Sequence, residues 1–362
     1  MNQAMSRRGV WCTAVLYLIN SVYIRGHSAA GQDVWLSAVL ATVVFAGVGW
    51  LMSRLTVLYP RRNLFEMLFA ARSRLTAVLV SWLYILYGLL TVTRSVQSYE
   101  EFVQSCVLTE TPHYVIAAAL LLTSLLFLKK GTQILSQWSC LVFPLFAVLW
   151  LTLLGMAFAR FEWGNLLPVM KDWKAAAVGA GELLAFPGGE LIFLTSLFGA
   201  LGKGGDEADG KVTGLWMGII GTAGACQLLI LLANVLVLSA PVVEKTRYAT
   251  YFMTSTIGVG DFFRHVEILT TFISQLAVLT NVCVIILFVT QGMAQLMGAA
   301  DHRLMALPVV LLVYGLSCFV SYSSAAALTQ AVGDWRLPAF AVQFVGPLCI
   351  LCPRRKIRIR TQ

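Results

Sequence analysis

Charge is what this sequence has least of. Only 12% of its 362 residues are Asp, Glu, Lys or Arg, 59% are hydrophobic, and mean hydropathy is +0.80. Soluble domains carry about 25% charged residues, so a water-soluble fold is excluded. Histidine is scarce too. His27, His113, His265 and His302 sit at segment ends or in loops, and no pair has metal-ligand spacing on a helix, so no metal site is expected. The chain has no Gly-x-Ser-x-Gly, no phosphate loop and no dinucleotide fingerprint, and nothing in it argues for an enzyme or a cofactor. No cleavable leader is expected, because the apolar run at 10–24 passes into Arg25-Gly26-His27 without a clear cleavage site. The net charge of +9 does not point to nucleic acid, since the basic residues cap apolar segments. The eight cysteines are scattered, mostly in apolar runs, as small buried hydrophobes are. Cys349-x-x-Cys352 has redox spacing but stands alone at the end of the last segment.

What is present is a repeated apolar run long enough to span a bilayer, which predicts an all-α polytopic membrane protein in contact with lipid. Ten segments are expected, near 10–24, 34–58, 76–107, 114–128, 134–159, 175–201, 212–240, 262–296, 304–320 and 337–352, in a single transmembrane domain over 1–362. With ten crossings, seventeen lysines and arginines fall on the side of the termini and eight on the other, while Arg94 lies within a segment. That asymmetry predicts cytoplasmic termini. Between the second and third segments, Leu64, Met67, Leu68 and Ala71 recur at helical spacing among arginines, as in a helix lying on the membrane surface. Residues 246–261 are expected to form a short outer helix and turn.

The sixth segment is interrupted by Phe186-Pro187-Gly188-Gly189-Glu190. Pro187 removes a helix hydrogen bond and crowds the carbonyl before it, and the two glycines let the chain leave helical geometry. Two half-helices would then aim free carbonyls and N–H groups at one small volume, a ready-made site for a zwitterion or ion. The alternative is a plain proline kink. The first segment is also odd, with about fifteen apolar residues where roughly twenty are needed, and with Asn20-Ser21 inside it. First and sixth segments occupy equivalent positions if the chain is two halves of five in an inverted repeat. Interrupted helices at such positions point to a midplane site.

Ionisable groups within spans are costly, about 2.5–3.5 kcal/mol at a helix centre. The third segment carries most of them. Arg94, Gln97, Ser98 and Glu101 share one face, with Glu100 and Gln104 beside them, which offers Arg94 and Glu101 as gating or coupling charges and Ser98 as a lining residue. An internal ion pair that binds nothing fits the same spacing. Glu190 would begin the second half-helix, where an anion is favoured as ligand group or simple cap. Glu182 is a weaker candidate. Thr280 and Asn281 in the eighth segment are candidate ligand contacts, although hydroxyls and amides in membrane helices more often bond between helices.

The order of short motifs resembles that of spore germinant receptor B subunits. Ala30-Gly31-Gln32-Asp33-Val34-Trp35 followed by Tyr59-Pro60 is similar to their opening, and Leu166-Leu167-Pro168 followed by Phe186-Pro187-Gly188-Gly189-Glu190 is similar to their central stretch. Arg94, Glu101-Phe102, Thr111-Pro112, Lys130-Gly131 and the run from Asp261 to Glu267 fall in the same order. The resemblance implies a ten-helix member of the amino acid–polyamine–cation superfamily with a five-plus-five inverted repeat and broken helices 1 and 6. It also implies a place in the spore inner membrane, a small germinant (commonly an amino acid), and work alongside an A subunit and a C lipoprotein. By position, the ligand site would lie between Asn20-Ser21 and Phe186 to Glu190, flanked by the third and eighth segments. Three departures stand out: the first segment is short, Asn20 replaces a glycine-containing break, and Gly188 replaces a bulky residue. A secondary transporter of amino acids, coupled to protons or cations, fits the same features.

Overall fold

The computed structural model describes residues 5–24, 30–168, 170, 172–185, 191–201, 209–246, 248–257, 267–299, 301–323 and 336–351. Fourteen α-helices are described: α1 (Arg7–Ile24), α2 (Val34–Leu58), α3 (Leu64–Ala71), α4 (Arg74–Cys106), α5 (His113–Lys130), α6 (Thr132–Phe158), α7 (Trp173–Ala185), α8 (Thr195–Gly199), α9 (Asp209–Leu238), α10 (Ala240–Lys245), α11 (Ala249–Thr256), α12 (Glu267–Met297), α13 (Ala306–Ser323) and α14 (Arg336–Leu351). Seven of the described helices are long and apolar enough to cross a membrane. The expected segments map onto α1, α2, α4, α5, α6, α7 with α8, α9, α12, α13 and α14. The outer stretch is two short helices, α10 and α11.

Burial sorts these helices by role. In α12, 83% of the most apolar stretch is buried, whereas in α6 and α13 the figure is 28%. Hydrophobic residues all round a helix need apolar surroundings on every side. For α12 those are other helices. On α6 and α13 much of that surface is left uncovered by protein, with Leu141, Leu151, Leu311 and Phe319 exposed, as lipid-facing helices require. The core helix α1 packs against α6, α9 and α12. It approaches α6 so closely that a Cβ on Gly9 would stand 1.7 Å from Ser136 Oγ. A side chain there would force Ser136 to move.

Two expectations are corrected. The apolar face of α3 is turned into protein, with Leu64, Phe65, Met67 and Leu68 all at 0% exposure, and the helix packs on α4, α8, α12 and α14 rather than lying on the membrane surface. Its start is fixed by a capping box, in which the Glu66 N–H donates to Asn63 Oδ1 (2.9 Å) and the Asn63 N–H donates to Glu66 Oε2 (3.3 Å). Second, α1 continues through Asn20 and Ser21 to Ile24 without a break at that pair. Asn and Ser cost a helix interior only tenths of a kcal/mol, unlike Pro or Gly, and neither stops the helix here. The stretch from Phe186 to Glu190, residues 258–266 and Cys352 lie outside the described residues.

Candidate ligand site around α1, α4 and α12

From Cys12 to Asn20 every side chain of α1 is buried. Two amides are buried on helices that pack together, Asn20 at 1% exposure on α1 and Asn281 at 0% on α12. Asn20 Oδ1 and both polar atoms of the Asn281 side chain are buried with no hydrogen-bond partner among the described residues. A buried polar group left unsatisfied costs about 1–3 kcal/mol, so these amides carry an unmet demand. They offer acceptors and a donor, the complement of a small zwitterion. Thr280 differs. Its hydroxyl donates to the Leu276 carbonyl at 2.9 Å within its own helix, so it brings no spare donor. The side chain of Ser21 lies outside the described residues, as does that of Glu182.

Phe186, Pro187, Gly188, Gly189 and Glu190 are likewise outside them, but the two ends that flank this stretch are described. Helix α7 ends at Ala185 and lies along α2. The chain resumes as a 3-10 turn, Leu191–Leu194, packed on both α2 and α12. Its exit therefore reaches the helix that carries Asn281. The entrance is held by the start of α2. Asp33, at 2% exposure, accepts the Met170 N–H at 2.9 Å on one oxygen and the Asp172 N–H at 3.2 Å on the other. Gln32 Nε2 donates to the Pro168 carbonyl at 2.6 Å, and Ser37 Oγ donates to the Ala176 carbonyl at 2.8 Å. The two sequence motifs around residues 30–35 and 166–168 are thus one contact.

On α4 the predicted face is real. Arg94, Gln97, Ser98 and Glu101 are all partly exposed, while Ser95, Val96, Tyr99, Glu100, Phe102 and Val103 between them are buried. Glu101 lines an open cleft of about 450 Å³ with Gln104, Ser105, His113 and Tyr248. Glu100 points elsewhere. It is 2% exposed and accepts the Ser317 hydroxyl of α13 at 2.6 Å, and Gln97 Nε2 donates to the Ser317 carbonyl at 3.3 Å.

A layer of rings closes another part of the bundle. Phe193 stacks on Tyr87 (centroids 5.9 Å apart) and meets Phe288 edge-on at 4.9 Å. Phe288 in turn touches Phe65 at 4.8 Å and Tyr84 at 6.3 Å. Four helical elements, α3, α4, the 3-10 turn and α12, are tied together here by quadrupole-matched contacts worth about 0.5–1.5 kcal/mol each.

Sequence reasoning missed three polar contributors. Asp33 was legible only as part of a motif. Glu100 lay beside the polar face that spacing picks out, and spacing does not show what it meets there. Gln291 of α12 donates to the Ser196 carbonyl at 3.4 Å, and its Oε1 is buried without a partner; the polar pair Thr290-Gln291 in an otherwise apolar run was the available signal. Among the described residues no group of His, Cys, Asp and Glu could hold a metal ion.

With this geometry in place, comparison with known proteins adds lineage. A family model described as "Spore germination protein" matches residues 13–324. Spore germination protein KB of Bacillus subtilis is 22% identical over 259 residues, 70% of this chain and 68% of that protein. Spore germination protein YndE of the same organism is 25% identical over 168 residues, 46% of each chain. Among solved structures, MhsT in complex with L-phenylalanine superimposes with a TM-score of 0.68 at 14% identity, covering 96% of this chain and 88% of that one. The Eremococcus coleocola manganese transporter, in complex with an aromatic bis-isothiourea substituted compound, gives 0.62 at 14% identity, covering 95% and 75%. At such identity the likeness shows fold alone, a LeuT-like helical bundle.

Proposed function

The chain belongs to the spore germination protein family, and from that premise we propose that it is a germinant-binding membrane subunit which takes a small amino acid at its core and signals to partner subunits. The family and the spanning helices make it an integral membrane protein, either germinant-related or a transporter. The observation that carries the finer reading is the set of buried amide atoms without a partner among the described residues, Oδ1 of Asn20 on α1 and both polar atoms of Asn281 on α12. In this reading the ligand's carboxylate meets free N–H groups flanking Phe186 to Glu190, and its ammonium meets Asn20 Oδ1, free carbonyls or Glu190. Ser98 of α4 lines the site and Thr280 contributes an acceptor. Arg94 and Glu101 gate the approach from the cleft. That MhsT was crystallised with L-phenylalanine supports an amino acid ligand.

Binding works as a signal only if the ligand favours one bundle arrangement over another. The partners in this reading are an A subunit and a C lipoprotein, in the spore inner membrane, with both termini cytoplasmic as the lysine and arginine distribution supports. No enzymatic step is involved.

The second reading is a secondary transporter with the same site, favoured by the likeness in fold to a manganese transporter. Counterflow of labelled amino acids in proteoliposomes, paired with a thermal-shift measurement of binding, separates the two. Binding without exchange supports the receptor, and exchange supports the transporter. Gly189→Leu is expected to abolish binding in a folded protein. Unchanged affinity in that variant would remove the central site from both readings.

A further inference from the structure

Helices α1 and α6 pack together in a register that their residues mark turn by turn. Gly9 faces Ser136, where a Cβ would stand 1.7 Å from the serine Oγ. Trp11 meets Phe143 edge-on, with ring centroids 4.9 Å apart. The partner numbers rise together, so the two helices run in the same direction here. Cys12 lies one turn beyond Gly9 and Cys140 one turn beyond Ser136, on the same two facing sides. Their thiols come within hydrogen-bonding reach of each other. Neither is in a disulfide; Cys12 is buried and Cys140 is partly exposed. Arg8, exposed one turn before Cys12, reaches the same sulfur, so the pair lies near the start of α1.

A disulfide needs Cβ atoms about 3.5–4.5 Å apart. The missing side chain at Gly9 lets the two backbones approach, and one turn further on the two sulfurs already face each other. We propose that Cys12 and Cys140 are a redox pair that peroxide closes into a disulfide, tying α1 covalently to α6. Cys140, the more open of the two, attacks one peroxide oxygen. The O–O bond breaks, a sulfenic acid forms on Cys140, and its proton leaves with the departing hydroxyl as water. Cys12 is too enclosed to meet peroxide first, but it stands beside the sulfenic sulfur, where proximity favours the second step. It attacks that sulfur, the S–O bond breaks, and the hydroxyl leaves with the Cys12 proton as a second water. Two thiols give up two electrons and two protons, and one peroxide becomes two waters. The step uses a contact that is already made. It holds the first turns of α1, the helix that carries Asn20, against α6. In the sequence these are two unrelated apolar-run cysteines, and the register of α1 on α6 is what pairs them.

Treating the purified full-length protein in lipid nanodiscs with hydrogen peroxide, then alkylating it under denaturing conditions for peptide mass spectrometry, tests this. The expected result is the loss of two alkylatable thiols and a linked peptide pair containing Cys12 and Cys140, both reversed by dithiothreitol. In Cys12→Ser the sulfenic acid on Cys140 has no thiol to close on, and dimedone should trap it. Cys12 that stays fully alkylatable after peroxide, or that is linked to a cysteine other than Cys140, overturns the proposal. Should the variant not fold, the wild-type experiment decides alone. Neither outcome depends on amino acid binding.

Discussion

Asp33 at the start of α2 holds the backbone of Met170, 137 residues further on, by a 2.9 Å hydrogen bond to its N–H. Its second oxygen takes the N–H of Asp172, so one buried side chain fixes the path of the chain into α7. Asp33→Ala leaves two N–H groups without their acceptor, at about 1–3 kcal/mol each. The expected outcome is a lower thermal midpoint in detergent and weaker amino acid binding, although Asp33 touches no ligand. Asp33→Asn, which keeps one acceptor, should fall between. Wild-type affinity in Asp33→Ala would show that α7 is positioned by other means.

Gly346 of α14 donates its N–H to Tyr84 Oη of α4 at 2.7 Å, and that hydroxyl donates onward to the Val342 carbonyl. A Cβ on Gly346 would come within 2.5 Å of the tyrosine oxygen. Gly346→Ala should therefore destabilise by about 1–3 kcal/mol through overpacking. Tyr84→Phe should destabilise as well, by leaving the N–H of Gly346 unpaired. Combining the two should cost less than the sum, because both act on one contact. Additive losses of unfolding free energy would separate them.

Asn281 is predicted to trade stability for binding. Replacing an unsatisfied buried amide by an apolar side chain of similar size removes its desolvation cost. Asn281→Leu should raise the thermal midpoint while eliminating the ligand-induced shift. A variant that loses both would mean the amide is a structural partner instead.

Glu66 gives a pH dependence outside the spanning helices. Burial pushes its carboxyl above the ordinary value, only partly offset by the Asn63 N–H and the nearby Arg62. A carboxyl whose folded value is raised makes the folded state bind the extra proton, so its contribution favours folding below the ordinary carboxylate value and is lost as pH rises through the raised one. Glu66→Gln retains the capping box and should flatten that fall. An unaltered pH profile of the thermal midpoint would assign the dependence to other groups.

Much of the fold was legible because lipid imposes a simple code. Residues 34–58 of the sequence became α2 with the same ends, since apolar length sets a span. What was not legible is which side of an apolar helix meets protein. The spacing of Leu64, Met67, Leu68 and Ala71 is the same for a surface helix and a buried one, and only packing against α14 and α4 separates them. Glu100 and Glu101 differ by one position, about 100° around the helix, which puts one against Ser317 and the other in an open cleft. Asn20 and Ser21 looked like a breaker because their segment was short, yet the helix continues over them. Composition could not reveal that Asn20 would be walled in on all sides.

The layer of Phe65, Tyr84, Tyr87, Phe193 and Phe288 has an electrical consequence. Apart from two phenol oxygens, it presents only ring carbon, and all five side chains are buried. An ion pushed into such a layer surrenders its hydration without compensation, at a cost of tens of kcal/mol in an idealised apolar medium. Where these rings pack, between α3, α4, the 3-10 turn and α12, they resist entry of an ion, an insulation that asks nothing of a charged plug and does not fade with salt.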